Sequence, residues 1–320
     1  MTKSALISGI SGQDGAHLAQ FLLAKGYRVY GTSRDAELSN FANLTRNGIR
    51  DQVTTVSMGL NDFHSVLQVL DRIKVDEVYN LAGQSSVGLS FDQPVETLES
   101  IAIGTLNLLE AIRFLQRPIR FYNAGSSECF GDTGDMPADE ATAFRPRSPY
   151  AVAKATAVWQ TANYREAYGM FACSGILFNH ESPLRPARFV TQKIARGVAD
   201  ILAGNRDHID LGALAIARDW GWAPEYVEAM YLMLQQDVPE DFVIATGETA
   251  TLQDYVAASF EAAGLNWQDH VRHDDTLVRP TDIKASRSNP SKAASKLGWT
   301  AQTRMREVTA RMVQAAISGQ

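Results

Sequence analysis

Three side chains near the middle of this chain have the types and spacing for acid–base chemistry. Tyr150 and Lys154 stand four apart in Ser148-Pro149-Tyr150-Ala151-Val152-Ala153-Lys154. On a helix they share one face. An ammonium beside a phenol favours the phenolate, so such a tyrosine can act as a base well below its free pKa of about 10. That pair suits oxidation of an alcohol. Glu128, in Ser126-Ser127-Glu128-Cys129-Phe130-Gly131, adds a carboxylate that plain alcohol oxidation does not need. It points to a second proton transfer. Ser126 adds a hydroxyl, which completes a candidate catalytic set of Ser126, Glu128, Tyr150 and Lys154. A Tyr-x-x-x-Lys spacing alone is commonly just surface, so its context decides. A Ser-Lys hydrolase competes, but no G-x-S-x-G elbow supports it.

The elements around these residues alternate. Residues 4–8, 28–32, 52–57, 77–82, 119–124 and 172–178 read as strands. Residues 16–25, 63–73, 103–115 and 150–168 carry helical apolar spacing. Strand–helix alternation predicts a parallel sheet with right-handed crossovers. The fold expected is α/β, a Rossmann-type doubly wound parallel sheet with a smaller C-terminal α/β substrate-binding lobe. Ligands in such sheets bind beyond the carboxyl ends of the strands. The proposed division is a dinucleotide-binding domain over 1–180, rejoined by part of 215–240, and a second lobe over 181–320. Prolines and arginines become frequent in that second part.

Gly9-Ile10-Ser11-Gly12-Gln13-Asp14-Gly15 follows the first strand and opens the first helix. Glycines there allow a tight turn and a close approach of a pyrophosphate to the helix N-terminus. Their spacing is three and three, and a lone triplet is also compatible with a structural turn. Its place after the first strand favours a dinucleotide, with Gly9, Gly12, Gln13, Asp14 and Gly15 as contacts. Arg34 stands where an acid would select NAD by bonding the ribose 2′-hydroxyl. An arginine accommodates a 2′-phosphate, so NADP is expected rather than NAD, with Asp35 as the complication. Leu81, Ala82, Gln84 and Ser85 end the fourth strand and are candidates for the nicotinamide ribose; an ordinary strand-to-helix turn is the alternative. Arg185, Arg188, Lys193, Arg218 and Arg279 could line a diphosphate pocket, although each is by default a solvated surface residue.

Composition sets the outer limits. The chain has 320 residues and a net charge of −6, which argues against bulk nucleic-acid binding. Two cysteines make no disulfide framework and fit a reducing cytoplasm. No signal peptide and no membrane span are evident. His270 and His273 lie near Asp274 and Asp275, but no further ligand cluster supports a metal.

With these residues in view, the chain resembles the extended short-chain dehydrogenase/reductases, and within them the GDP-mannose 4,6-dehydratases, over nearly its whole length. The resemblance rests on residues 7–15, 79–85, 147–150 and 226–230, on Gly175-Ile176-Leu177-Phe178-Asn179-His180-Glu181-Ser182-Pro183, and on Arg218-Asp219-Trp220-Gly221. It implies a hydro-lyase with internal redox. NADP would take a hydride from sugar C4 while Tyr150 removes the hydroxyl proton. Glu128 would take the C5 proton and assist loss of the C6 hydroxyl, and the hydride would return to C6. Lys154 would lower the phenol pKa and hold the nicotinamide ribose. Asn179, Val190, Lys193, Arg218 and Arg279 would contact the GDP moiety, and family members pair through the helix carrying Tyr150, so a homodimer or homotetramer is implied.

The chain also departs from the family pattern. Ser126 replaces a threonine, Asp35 a second arginine and Pro186 a glycine. Met58-Gly59 stands for a Gly-Asp pair with one residue lost. Ala213 and Ala217 replace Asn and Lys, and residues 284–287 replace a more acidic run. These changes touch ligand surfaces and spare the catalytic set. They leave a related GDP-sugar such as a heptose open, along with a 4-keto reductase or 4-epimerase on the same fold.

Overall fold

The structure, a computed structural model, describes residues 2–277 and 281–319. Arg279 lies outside the described residues. The chain forms two compact units. The first takes residues up to Cys129, Ser148–Leu177 and Val227–Phe242. The second takes Phe130–Arg147, Phe178–Tyr226 and the chain from Val243.

The strands are β1 (Ser4–Ser8), β2 (Arg28–Ser33), β3 (Thr54–Ser57), β4 (Glu77–Asn80), β5 (Arg120–Ser126), β6 (Ala172–Leu177), β7 (Asn179–Glu181), β8 (Ile209–Leu211), β9 (Ala217–Arg218), β10 (Trp220–Trp222), β11 (Phe242–Ile244), β12 (Ala250–Thr251) and β13 (Val271–His273). The helices are α1 (Gln13–Ala24), α2 (Ala42–Arg46), α3 (Phe63–Ile73), α4 (Val87–Asp92), α5 (Pro94–Leu98), α6 (Gly104–Leu115), α7 (Pro149–Tyr168), α8 (Val190–Leu202), α9 (Ala223–Leu234), α10 (Leu252–Glu261) and α11 (Met305–Ile317).

The main sheet has seven strands in the order β11-β6-β5-β4-β1-β2-β3, and β1 to β6 pair in parallel. β1 and β6 are buried at every position. Such continuous burial is expected where helices cover both faces of a parallel sheet. The order reverses between β1 and β4, which opens the crevice where ligands of this architecture bind. One core gathers Leu6, Val78 and Phe121 from the strands, Val66 and Leu70 from α3, Leu108 and Ile112 from α6, and Tyr164 from α7.

Local chemistry sets the ends that matter. Ser148 caps α7 by accepting from Ala151 N at 3.1 Å, Pro149 takes the first helical position, and Gly169 (φ 65°) ends it. These signals put Tyr150 in the first turn. α1 starts at Gln13, three residues earlier than the apolar spacing implied, so Gln13, Asp14 and Gly15 form its first turn. β5 runs to Ser126, two residues beyond the predicted strand, and Glu128 sits in the 3₁₀ turn that follows. The sequence reading missed α4 and α5, because residues 87–98 lack a sustained apolar period.

The second unit holds three two-stranded ribbons: β10 with β7, β12 with β9 and β13 with β8. α8, α10 and α11 surround a core containing Ile194, Val198, Trp220, Tyr255, Phe260, Val308 and Met312. Residues 130–147, which the sequence reading placed in the first domain, cluster with this unit. Asp219 ties the unit's backbone together: it accepts from Thr246 N at 3.0 Å, Gly247 N at 2.8 Å and Ser288 Oγ at 2.6 Å. Gly221 follows because the Tyr226 ring occupies the space a Cβ would need.

Candidate active site

In the first unit the candidate acid–base groups gather around the end of β5 and the start of α7. β4 ends at Asn80, opposite Asn123, so the β5 backbone beyond that rung has no β4 ladder partner. Lys154 supplies one: its Nζ donates to Ala124 O at 2.7 Å. Nζ lies 5.9 Å from the centre of the Tyr150 ring. Tyr150 packs with Ile101, Ala153, Ala157 and Val87. Burial lowers the Lys154 pKa to about 8, against the opposing pull of Cys129 and Asp14. The ammonium is therefore held where a small change in environment titrates it.

Ser126 accepts from Glu128 N at 3.3 Å, which closes the turn after β5. Ser127 and Cys129 are buried, while Glu128 between them is half-buried. The turn thus presents a single carboxylate. Burial pushes the Cys129 thiol up to about 12, so it stays protonated at neutral pH and is no nucleophile.

The glycine loop is packed by close approaches of its own backbone. Gly9 (φ 76°) adopts a conformation that favours glycine, and a Cβ there would lie 2.8 Å from the Leu81 carbonyl. At Gly15 a Cβ would meet the Gly9 carbonyl oxygen. Gly12 caps α1 with no side-chain hydrogen bond, which leaves the helix terminus open to an anion. Gln13 is buried and donates to Asp14 Oδ1 at 2.9 Å. Arg34 is exposed. Asp35 folds back on its own turn, accepting from Glu37 N at 2.9 Å and Leu38 N at 3.0 Å.

Leu81 and Ala82 are half-buried against Gly9, and Ser85 is exposed. Gln84 is committed locally: its Nε2 donates to Ser86 O at 2.8 Å and Thr97 Oγ1 at 3.2 Å, and its Oε1 accepts from Ser86 N.

The second unit carries the other candidates. Asn179 starts β7 and Val190 starts α8, both half-buried. Lys193 Nζ donates to Asp210 O at 2.6 Å. Arg218 is buried and donates to Ala217 O at 2.9 Å and Ile283 O at 2.8 Å, with Asp282 at 3.4 Å. Arg185 is turned inward onto Glu181 at 2.8 Å and onto His180 O, whereas Arg188 is exposed. The sequence reading missed Glu181 and Thr191 as anchors of this loop. Thr191 Oγ1 donates to Glu181 Oε2 at 2.8 Å; nothing in the sequence alone marks Glu181 as buried, so no signal was available. Among the described residues no group of three or more His, Cys, Asp or Glu side chains could hold a metal ion, and no helix is long and apolar enough to cross a membrane.

Comparison with known proteins places this geometry. The family model described as GDP-mannose 4,6 dehydratase matches residues 6–312. GDP-mannose 4,6 dehydratase 1 of Arabidopsis thaliana is 47% identical over 97% of this chain and 89% of its own. Among solved structures, the UDP-glucose 4-epimerase of Thermus thermophilus, in complex with NAD, superposes with a TM-score of 0.85 at 25% identity over 98% of both chains. RMD of Pseudomonas aeruginosa, complexed with NADPH, gives 0.83 at 20% identity over 100% of both. The fold is thus one that holds nicotinamide cofactors, and epimerases share it. Identity over nearly the full length, together with the family model, decides between them: the chain belongs to the GDP-mannose 4,6-dehydratase family.

Proposed function

We propose that this protein, a nucleotide-sugar 4,6-dehydratase and hence a hydro-lyase, converts GDP-mannose to GDP-4-keto-6-deoxy-mannose, using the set at the end of β5 and the start of α7. The carrying observation is the half-buried Glu128 beside Ser126, in the same unit as a Tyr150/Lys154 pair on one helix face. Tyr150, as phenolate, takes the proton of the sugar 4-hydroxyl. Lys154 keeps that phenolate accessible; among the described residues Ala124 O takes one of its three N–H donors, which leaves two. Glu128 takes the C5 proton, acidified by a neighbouring ketone, and returns a proton to the departing C6 hydroxyl, which leaves as water. The Ser126 hydroxyl orients the sugar. The bound nicotinamide cofactor supplies a hydride acceptor at the start and a donor at the end.

NADP is the cofactor we favour. Arg34 is exposed and available to a 2′-phosphate, while the Asp35 carboxylate is occupied by its own turn. Gly9, Gly12, Gln13, Asp14, Gly15, Leu81, Ala82, Gln84 and Ser85 would form the rest of the cradle, Gln84 by shaping the loop. The second unit would bind the nucleotide sugar through Asn179, Val190, Lys193, Arg218 and Arg279. A homodimer or homotetramer through α7 is supported by exposed Val152 (43%) and Trp159 (57%), seven apart on one face. Two free, buried cysteines suit a cytoplasmic location.

Mass spectrometry after incubation with a panel of nucleotide sugars tests the assignment. Loss of one water from GDP-mannose without net NADPH consumption is the expected result. Loss from a GDP-heptose alone would move the substrate. Stoichiometric NADPH consumption would indicate a 4-keto reductase, and an isobaric product a 4-epimerase.

A further inference from the structure

Four buried polar side chains run across the sheet of the first unit, one per strand. Ser8 on β1, Asn80 on β4, Asn123 on β5 and Ser174 on β6 are successive partners in the strand registers. Their side chains form one hydrogen-bonded chain. Ser8 Oγ donates to Asn80 Oδ1 at 2.8 Å, Asn80 Nδ2 to Asn123 Oδ1 at 3.4 Å, and Asn123 Nδ2 to Ser174 Oγ at 3.2 Å. Thr105 of α6 joins it, accepting from Asn80 Nδ2 at 2.9 Å and donating to Ile101 O at 2.6 Å. All five residues are buried.

A fully buried row of this kind is expensive to desolvate, and apolar residues would fill the space at less cost. What a completely bonded row provides is register. A slip of one residue turns every side chain to the other face and strands the amides without partners. The row's location gives that register a use. Ser8 precedes Gly9, Asn80 precedes Leu81, and Asn123 precedes Ala124, the carbonyl that receives Lys154. Asn80–Asn123 is also the last β4–β5 rung, so this side-chain contact is the final cross-strand tie on that side before Ala124.

We infer that the Ser8–Asn80–Asn123–Ser174 row, with Asn123 at its centre, is a positioning device for the dehydration. It fixes β5 against β4 and β6 so that the Ala124 carbonyl holds the Lys154 ammonium in place beside Tyr150. Asn123 acts through Ala124 and Lys154 and touches no reacting atom. The inference rests on the roles proposed above for Tyr150 and Lys154.

The test compares Asn123→Leu, which removes both amide bonds, with Val69→Ala, a core change of the same unit outside the row. A displaced carbonyl favours the charged ammonium less, and Tyr150, Cys129 and Asp14 still face it. Asn123→Leu is expected to lower kcat about tenfold at near-constant KM and to move the alkaline limb of kcat/KM about half a pH unit lower. Val69→Ala should lower Tm without moving that limb. If Asn123→Leu does not fold, Ser174→Ala removes one bond and is read the same way, with a smaller displacement. Loss of Tm with kcat and the limb unmoved would make the row purely structural and overturn the inference. Lys154→Met separates the two levels. Full activity in Lys154→Met would sink the catalytic reading itself, whereas inactive Lys154→Met beside an unmoved limb in Asn123→Leu sinks only the role of the row.

Discussion

Lys154 and Arg218 are both buried cations that donate to main-chain carbonyls, yet their settings differ. Arg218 has Asp282 at 3.4 Å and two carbonyls, and so is neutralised within the second unit. Among the described residues no carboxylate forms an ion pair with Lys154, and burial lowers its pKa to about 8. The contrast extends to neighbours. Arg185 closes onto Glu181 and a carbonyl, while Glu128 stands half-buried at the tip of a tight turn. A charge near a strand end thus acquires a role from its partners. Arg218 and Arg185 are ion-paired within the second unit, while the Lys154 ammonium is held by the Ala124 carbonyl, a poised setting that suits the proton transfer proposed for the first-unit set.

The largest expected effect falls on the poised side. Glu128→Gln keeps the shape and removes the proton acceptor, and should lower turnover by about 10²- to 10⁴-fold. In the proposed mechanism the first oxidation does not use Glu128, so reduced cofactor should accumulate, visible as absorbance of the dihydronicotinamide. Full dehydratase turnover in that variant would remove Glu128 from the mechanism. Tyr150→Phe should lose turnover on a similar scale without that accumulation.

The next effect separates the two arginines of one loop. Arg185→Ala leaves Glu181 buried with Thr191 as its remaining side-chain donor among the described residues, and should cost about 3 kcal/mol of stability. Arg188→Ala, at an exposed position, should change stability by less than about 0.5 kcal/mol. If Arg188 serves the diphosphate, its loss should raise KM about tenfold, the worth of one charge-assisted hydrogen bond. Denaturant midpoints and KM values, measured together, check the pair. Equal stability losses would erase the distinction drawn between the loop's two arginines.

Much of this was legible in the sequence because it is written locally. Ser148-Pro149 and Gly169 bound α7, and a spacing of four then places Tyr150 and Lys154 on one face. Gly9 and Gly15 are required by close backbone approaches that only a strand–turn–helix creates. What stayed hidden depends on partners distant in the chain. Nothing near Arg218 announces Ile283, and nothing near Asn80 announces Asn123. Gln84 is a candidate cofactor contact from its place after β4, but nothing in the sequence shows that its amide bonds Ser86 and Thr97. α4 and α5 went unread because their sequence has no apolar stripe; each is only one to two turns long.

The subtlest consequence concerns pH, where activity and stability should part. Deprotonation of Lys154 removes the charge that favours the Tyr150 phenolate, so kcat/KM should fall as pH rises through about 8. Stability follows linkage instead. The folded Lys154 pKa lies below the unfolded value, so between about 8 and the ordinary lysine range the unfolded chain binds more protons at this site. In that window the contribution of Lys154 to stability rises with pH. Cys129 opposes it: burial raises its thiol to about 12, so the folded state keeps a proton that the unfolded thiol loses above its ordinary pKa of about 8.5. Cys173, also raised by burial, acts in the same sense. The net curve therefore mixes both signs, and the difference between wild type and Lys154→Met isolates the lysine. That difference in unfolding free energy should grow in favour of the wild type from pH 7 to pH 10, while wild-type kcat/KM declines. A difference that is flat, or of the opposite sign, would mean that Lys154 is not the depressed cation that sets the first unit apart from the second.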